Sequence, residues 1–376
     1  MESRKEQTKT VGSRRRRKAV VAMSGGVDSS VAAALLKKAG FEVIGVFVKF
    51  WKEPGRGKEN RCCSAEAQTD ARRVAAKLKI PFYTINAEKE FKKRVVDYFL
   101  REYRAGQTPN PCVECNRWIK FGLLMEKVLA FGADFLATGH YIRLRREIPN
   151  LKSQAPKYRL LAAKDKSKDQ SYFLWALTQE KLKKILFPIG DYLKSEVRQM
   201  AKKFGLPVFE KKDSQEVCFI NTDLYAFLNA HIRANGGIIE DINAKKIGKH
   251  EGLPFYTIGQ RRGLKIGGSG PYYVVKKDFK KNILIVGKED DLKSKLFQKE
   301  TIVRKVNWIS GKEPKFPFCC KVKIRYLSPM SPAKIFKIQN SKYKILFSAP
   351  QRAITPGQSA VFYKGGELLG GGVIGY

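Results

Sequence analysis

Long apolar runs are missing from this 376-residue chain, and so are many of the residues that common hydrolytic and metal sites draw on. No stretch approaches the roughly 18 consecutive apolar residues of a membrane helix, and Val31–Leu36 is among the longest runs. There are three histidines, His140, His231 and His250, so histidine-rich metal sites and most histidine-dependent hydrolase schemes have little to work with. The seven cysteines are odd in number, and Ala19–Met23 is too short for a signal-peptide core. A disulfide framework is therefore not expected, no membrane is expected as partner, and the expected compartment is the cytoplasm. Acidic residues are scarce: 35 Asp+Glu face 74 Lys+Arg, a formal charge of +39. Such a field favours a polyanionic partner, nucleic acid before an anionic membrane surface, with a solvated basic surface as the alternative. A Walker loop is absent too, because the Gly-Lys pairs at Gly57, Gly248, Gly287 and Gly311 are followed by Glu or His, never Ser or Thr.

What is present is enough apolar residue to build cores, 43% of the chain, and a length that suggests two or three domains. Residues 1–17, with the basic run Arg14–Lys18, read as a tail. From there to Thr138 short β-prone runs alternate with helical patterns: strands at Ala19–Met23, Glu42–Phe50, Pro81–Ile85 and Phe135–Thr138, helices at Asp28–Lys38, Ala65–Leu78, Glu88–Tyr103 and Trp118–Phe131. This rhythm predicts an α/β fold, a doubly wound parallel sheet whose ligands sit beyond the carboxyl ends of the strands. It changes after about residue 205. From Tyr272 short β-prone runs separated by turns take over, at Tyr272–Val275, Ile283–Val286, Lys321–Tyr326, Lys334–Ile338 and Ala360–Tyr363. They predict a small all-β domain, a barrel or sandwich. The expected division is a catalytic domain over 18–210, a small central domain over 211–280 and a β-barrel over 281–376.

The strongest local signal is Ala22-Met-Ser-Gly-Gly-Val-Asp-Ser-Ser30, between the first strand and the first helix. Ser24, Gly25 and Gly26 let backbone approach an anion, and the helix start offers N–H groups and a positive dipole end. Asp28 suits an N-cap, or contact with a phosphate-bound Mg²⁺. A plain glycine turn with an Asp cap is the alternative. The spacing Gly370-x-Gly372-x-x-Gly375 imitates a dinucleotide fingerprint, but only Tyr376 follows it, so no helix can start there and the match is chance.

SGGVDSS after a strand resembles the PP-loop of ATP pyrophosphatases. Four further strings narrow the resemblance: Thr108-Pro-Asn-Pro-Cys-Val-Glu-Cys-Asn116, Ala137-Thr-Gly-His-Tyr141, Lys168-Asp-Gln-Ser-Tyr-Phe-Leu174 and Lys212-Asp-Ser-Gln-Glu-Val-Cys-Phe219. In this order, and with Thr355-Pro-Gly-Gln-Ser359, they resemble the tRNA-specific 2-thiouridylases that modify the wobble uridine. The resemblance runs from about Lys18 to the C-terminus. It implies adenylation of the uridine C2 oxygen by ATP and Mg²⁺, then replacement of AMP by sulfur from a cysteine persulfide.

Residue by residue, the resemblance implies that Cys218 carries the persulfide and Cys115 is the other catalytic cysteine, which leaves a Cys115–Cys218 disulfide. The nucleotide would lie on Ala22, Met23, Ser24, Gly25, Gly26, Val27, Asp28 and Ser29, with Val48 (where methionine is common) and Gly139. Asn110, Pro111 and Cys112 would meet the target base, with His140 and Gln358 beside it. Lys168, Asp169 and Gln170, then Arg325 and Tyr326, would contact tRNA. Cys112 is a departure, because many family members have aspartate there. It creates Cys112-x-x-Cys115, which with Cys218 offers three thiolates to an iron–sulfur cluster. Zinc would need Cys62 or Cys63 as a fourth ligand. Taken singly, each of these thiols, and His140, also reads as an interior residue.

The stretch Phe255–Lys265, continuing to Tyr272 and Tyr273, mixes basic, glycine and aromatic residues in a way that suits RNA phosphates and stacked bases. The expected partners are tRNAs for Lys, Glu and Gln and a cysteine desulfurase or sulfur relay protein, and the expected state is a monomer. Two rivals stand beside this reading. One is another PP-loop enzyme that adenylates tRNA and adds an amine or a sulfur elsewhere; the other is a noncatalytic RNA-binding protein that keeps ATP as a structural ligand.

Overall fold

Alternation in Lys18–Ala22 sends neighbouring side chains to opposite faces of a sheet, and both faces are buried. Val20 joins one apolar cluster, Ala19 and Val21 another. Such a strand needs cover on both sides, which a parallel sheet wrapped by helices provides. The computed structural model describes residues 16–53, 64–147, 157–212, 217–267, 271–289, 296–339 and 341–375. Most of the basic tail, Cys62, Cys63 and 213–216 lie outside the described residues.

Within them, β1 (Lys18–Ala22) lies at the centre of a five-stranded sheet. Its partners are β2 (Glu42–Lys49), β3 (Phe82–Asn86) and β4 (Phe135–Thr138). Next in the chain come β5 (Ile142–Glu147) and β6 (Lys157–Ala162), a hairpin that leaves this sheet, and β7 (Ile185–Leu186), which returns to it. The order is β3-β2-β1-β4-β7, every pair parallel. This is the doubly wound arrangement the rhythm predicts.

Two helical runs are longer or less regular than their periodicity suggests. The one expected at Trp118 starts at Pro111, where Asn110 Oδ1 accepts from the Val113 N–H at 3.4 Å. From Cys115 to Leu124 it is wound as a π-helix, and the run Glu88–Arg104 contains a second π turn at Lys92–Val96. Apolar spacing near 3.6 detects such runs without revealing the wider ring, and π segments concentrate at functional sites.

The central unit places helix Leu224–His231, capped by Asp223, beside β8 (Gly237–Asp241), β9 (Lys246–His250), β10 (Tyr272–Asp278) and β11 (Ile283–Lys288), ordered β10-β11-β8-β9. The last unit is a barrel of β12 (Phe297–Trp308), β13 (Phe318–Lys323), β14 (Ser331–Lys337), β15 (Tyr343–Arg352), β16 (Ser359–Lys364) and β17 (Glu367–Ile374). Its order is β12-β15-β14-β13-β16-β17, and pairing of β12 with β17 closes it. Closure removes free edges. The glycines 370 and 372 lie within β17, not ahead of a helix. Among the described residues no helix is long and apolar enough to cross a membrane.

The barrel is joined to the first unit. Hairpin strand β6 pairs with β17 through Leu161–Glu367 and Leu160–Leu368. The buried segment after Lys168 is tied to β16: Trp175 Nε1 donates to Ser359 Oγ at 3.1 Å and Tyr172 Oη to the Ser359 carbonyl at 2.9 Å. A Cβ at Gly371 would stand 2.8 Å from the Trp175 ring, so that position must stay bare. Trp175→Ala empties a fully buried ring site and is expected to cost about 3–5 kcal/mol. Urea unfolding of the full chain measures it; a cost below about 1 kcal/mol would show that the seam contributes little.

Candidate functional site

The loop after β1 is shaped by contacts that only small residues allow. Gly25 has φ +70°, and a Cβ there would lie 2.2 Å from the Ala67 carbonyl oxygen. A Cβ at Gly139, just past β4, would come within 2.6 Å of the Ser29 nitrogen. Helix Val27–Lys38 begins at Gly26, which supplies no side-chain cap. That corrects the expectation for Asp28: it is the second residue of the helix, not its cap, because glycine supplies the extended turn before the first helical residue. Ser29 Oγ accepts from the Ser24 N–H at 3.2 Å and donates to the Gly26 carbonyl, and Ser30 Oγ donates to that carbonyl at 2.8 Å. The helix start thus keeps backbone donors for an anion.

Asp28 has its own partners. Lys194 Nζ stands 2.7 and 2.9 Å from its two oxygens, and Tyr141 Oη donates to Oδ1 at 2.9 Å. Lys194 opens helix Lys194–Lys203, 166 residues further along, and its side chain is 11% exposed. Sequence spacing gives no hint of it. The phosphate loop contains no lysine, but the fold places one against it.

A cavity of about 330 Å³ opens beside this loop. It is lined by Ala22, Met23, Ser24, Asp28 and Ser29 from the loop, by Val48 near the end of β2 and Phe50 just past it, and by Gly139 and His140 beyond β4. Phe50 stacks on Phe91 at 4.7 Å, so this wall is apolar and aromatic. Pro111, Cys112, Cys115, Asn116, Lys120, Gln170, Phe173 and Cys218 complete the lining. All three expected thiols therefore meet the phosphate loop at one cavity. Cys115 is buried, Cys112 and Cys218 are half-buried, and none of the three is in a disulfide. Among the described residues no three His, Cys, Asp or Glu side chains are grouped so as to hold a metal ion. Cys62 and Cys63 fall outside the described residues.

The other expected contacts fall into two groups. Gln170 lines the cavity and its Oε1 accepts from the Tyr141 N–H at 3.0 Å. Tyr326 packs on Phe173, ring centroids 4.5 Å apart. Lys168 is half-buried and its N–H meets the Asp165 carbonyl. By contrast Asp169, Asn110, Arg325 and Gln358 hold parts of the fold together. The Asp169 carboxylate is buried and accepts from Ala163 N–H and from Ser171 N–H and Oγ. Arg325 donates to the Ala353 carbonyl at 2.6 Å and Thr355 Oγ1 at 2.8 Å, and Gln358 Nε2 to the Thr108 carbonyl at 2.9 Å. In the basic, aromatic stretch, Phe255, Tyr256 and Tyr273 are core residues, whereas Arg261 and Arg262 are exposed.

His140 sits among Phe121 and Phe187, with Nδ1 2.6 Å from Thr138 Oγ1. Burial, and then Lys120, hold its pKa well below 6.5. It is neutral at neutral pH.

The fold and the site define a nucleotide-binding α/β protein of the PP-loop class. The model of the tRNA methyl transferase HUP domain family matches residues 17–222, that of the tRNA methyl transferase PRC-barrel domain 225–288, and that of the aminomethyltransferase beta-barrel domain 298–374. The tRNA-specific 2-thiouridylase MnmA of Roseiflexus castenholzii is 45% identical over 370 residues, 95% of this chain and 99% of its own length. The protein of the same name from Carboxydothermus hydrogenoformans is 44% identical over 365 residues, 96% and 98% of the two chains. The chain belongs to the tRNA-specific 2-thiouridylase family.

His140 generates a pH test. The unfolded chain binds a proton at this residue below about pH 6.5 and the folded chain does not, so its contribution to stability is present above that pH and lost below it, by up to about 1.4 kcal/mol per pH unit. His250, also lowered by burial, acts with the same sign, so the comparison is between wild type and His140→Gln. The stability gap between about pH 7 and about pH 5.5 should be smaller in the variant. An unchanged gap in urea denaturation would refute the neutral assignment.

Proposed function

We propose that this protein is an ATP-dependent tRNA 2-thiouridylase acting on the wobble uridine. The observation that carries this reading is the convergence of a PP-loop, Cys115 and Cys218 on one cavity. A noncatalytic RNA-binding module has no use for both thiols there, and an adenylating enzyme that adds an amine has none either.

ATP occupies the loop from Ala22 to Ser29, its phosphates on the backbone N–H groups and its adenine near Val48 and Gly139. Among the described residues Asp28 is the one carboxylate lining the cavity. It suits a Mg²⁺ that arrives on the phosphates, which would neutralise their oxygens, and not an ion held in a protein cage. Asn110, Pro111 and Cys112 frame the target base, with His140 and Gln358 beside it. Lys168, Asp169, Gln170, Arg325 and Tyr326 serve the tRNA, directly or by shaping its seat. The uridine O2 attacks the α-phosphorus, pyrophosphate leaves and N3 gives up its proton. The terminal sulfur of a Cys218 persulfide attacks C2, and AMP departs with O2. The Cys115 thiolate then attacks the Cys218 sulfur, the S–S bond breaks toward the nucleobase, and 2-thiouridine and a Cys115–Cys218 disulfide remain. Arg117, two residues after Cys115, and Lys120 on the cavity wall supply the positive charge that thiolates need. The substrates are tRNAs for Lys, Glu and Gln, sulfur comes from a cysteine desulfurase or relay protein, and the protein acts as a monomer in the cytoplasm.

Mass analysis of tRNA incubated with protein, ATP, Mg²⁺ and a sulfur donor tests this directly, since one oxygen-for-sulfur exchange at the wobble uridine is expected. Cys218→Ala should abolish that exchange and still release pyrophosphate in the presence of tRNA. Normal thiolation by the variant would sink the assignment. Dependence on anaerobic iron reconstitution would favour a cluster instead. Lys194→Met removes the ammonium beside the phosphate loop and should raise the ATP concentration for half-saturation by at least about tenfold, the scale of a lost charged hydrogen bond. An unchanged ATP requirement would show that Lys194 serves only Asp28.

A further inference from the structure

The proposed reaction, on which this inference rests, uses two of the three thiols at the cavity. It ends with Cys115 and Cys218 joined, and Cys218 cannot accept new sulfur until that bond is broken. Cys115 is 7% exposed, so a reductant from solution has little access to its sulfur. The third thiol is better placed. Cys112 is half-buried, lines the same cavity, and precedes Cys115 by three residues in one helical run. Helical residues three apart share a face, with Cβ atoms about 5–6 Å apart. A disulfide brings them to about 3.8 Å. The backbone changes from α to π winding at Cys115, where the helical ladder already deviates from its regular ring.

Lys120 lines the cavity with Cys112. Tyr326 lies near that sulfur: burial, then Asp169 and Cys112, raise the pKa of its phenol.

We propose that Cys112 is a resolving thiol. Its thiolate attacks Sγ of Cys115 in the Cys115–Cys218 disulfide. The Cys112–Cys115 bond forms, the Cys115–Cys218 bond breaks, and its electron pair leaves on Cys218 as a thiolate ready for reloading. No net oxidation occurs in this exchange. A dithiol reductant from solution then attacks the more accessible Cys112 sulfur, delivers two electrons and two protons, and leaves as its own disulfide.

The test maps disulfides by peptide mass spectrometry after acid quench and alkylation, in two samples of the full-length protein. One is equilibrated in a glutathione redox buffer without substrates; the other has completed one sulfur transfer from persulfide-loaded protein with no reductant. Cys112–Cys115 is expected as the main disulfide in both. In Cys112→Ser the transfer sample should retain Cys115–Cys218, and repeated turnover with dithiothreitol as reductant should fall by about tenfold, the loss of an intramolecular exchange. A wild-type protein that holds mainly Cys115–Cys218 in both samples, or a Cys112→Ser variant that turns over as fast as wild type, overturns the proposal. Should wild type transfer no sulfur to tRNA, the thiouridylase reading fails instead, and the redox-buffer map, which needs no turnover, still decides whether Cys112 and Cys115 pair.

Discussion

Ser359 is the point on which the geometry of the thiols depends. Its hydroxyl takes the Trp175 indole N–H, its carbonyl takes the Tyr172 hydroxyl, and Gln358 beside it donates to the carbonyl of Thr108. Asn307 adds bonds to the carbonyls of Trp175 and Leu177. A buried polar group left unpaired costs on the order of 1–3 kcal/mol. The segment Ser171–Leu177 therefore cannot leave the barrel without losing several partners at once. Thr108, held from the barrel side, leads directly into the Asn110 cap and so into the helix that presents Cys112 and Cys115. The barrel is thus part of the scaffold of the site as well as a neighbouring unit.

Electrostatics at the other end of the cavity follow a similar economy. The PP-loop relies on backbone donors and a helix start, which are fixed partial charges, and the fold adds one full charge through Lys194. That ammonium is not idle in the free protein, because it neutralises Asp28 and keeps a carboxylate from repelling incoming phosphates. The excess of basic residues over the whole chain acts at longer range. It raises the local concentration of any polyanion and weakens with salt.

The parallel sheet was legible because its buried strands and helices carry uninterrupted periodic patterns, as in Ala19–Met23 and Asp28–Lys38. Hairpin β5–β6 was not, because Ile142–Glu147 holds three arginines on a surface-facing strand and alternation is masked. Barrel strand β12 was missed for a similar reason: it is long, bulged and carries three basic residues and a glutamate. At the site, linear motifs brought the loop, Gly139, His140 and the cysteines into view. Lys194 stayed hidden because its role depends on tertiary placement alone. Asp169 and Arg325 show the converse, since a residue read from a motif as a ligand contact can spend its polar atoms inside the fold.

The scarcity of carboxylates in the cavity bears on where protons go. Among the described residues Asp28 is the one acid in the lining, and Lys194 occupies it. His140 is neutral but is a weak base, because burial disfavours its charged form. In the proposed chemistry the uridine N3 must lose a proton as its O2 is adenylated, and a carboxylate at residue 112 would be the obvious acceptor. Cysteine at 112 replaces that acceptor with a sulfur, and what the structure gives this sulfur is access: it is half-buried, lines the same cavity as Cys115 and Cys218, and precedes Cys115 by three residues in one helical run. The position thus serves the proposed exchange with the disulfide, which needs a thiol within reach of Cys115.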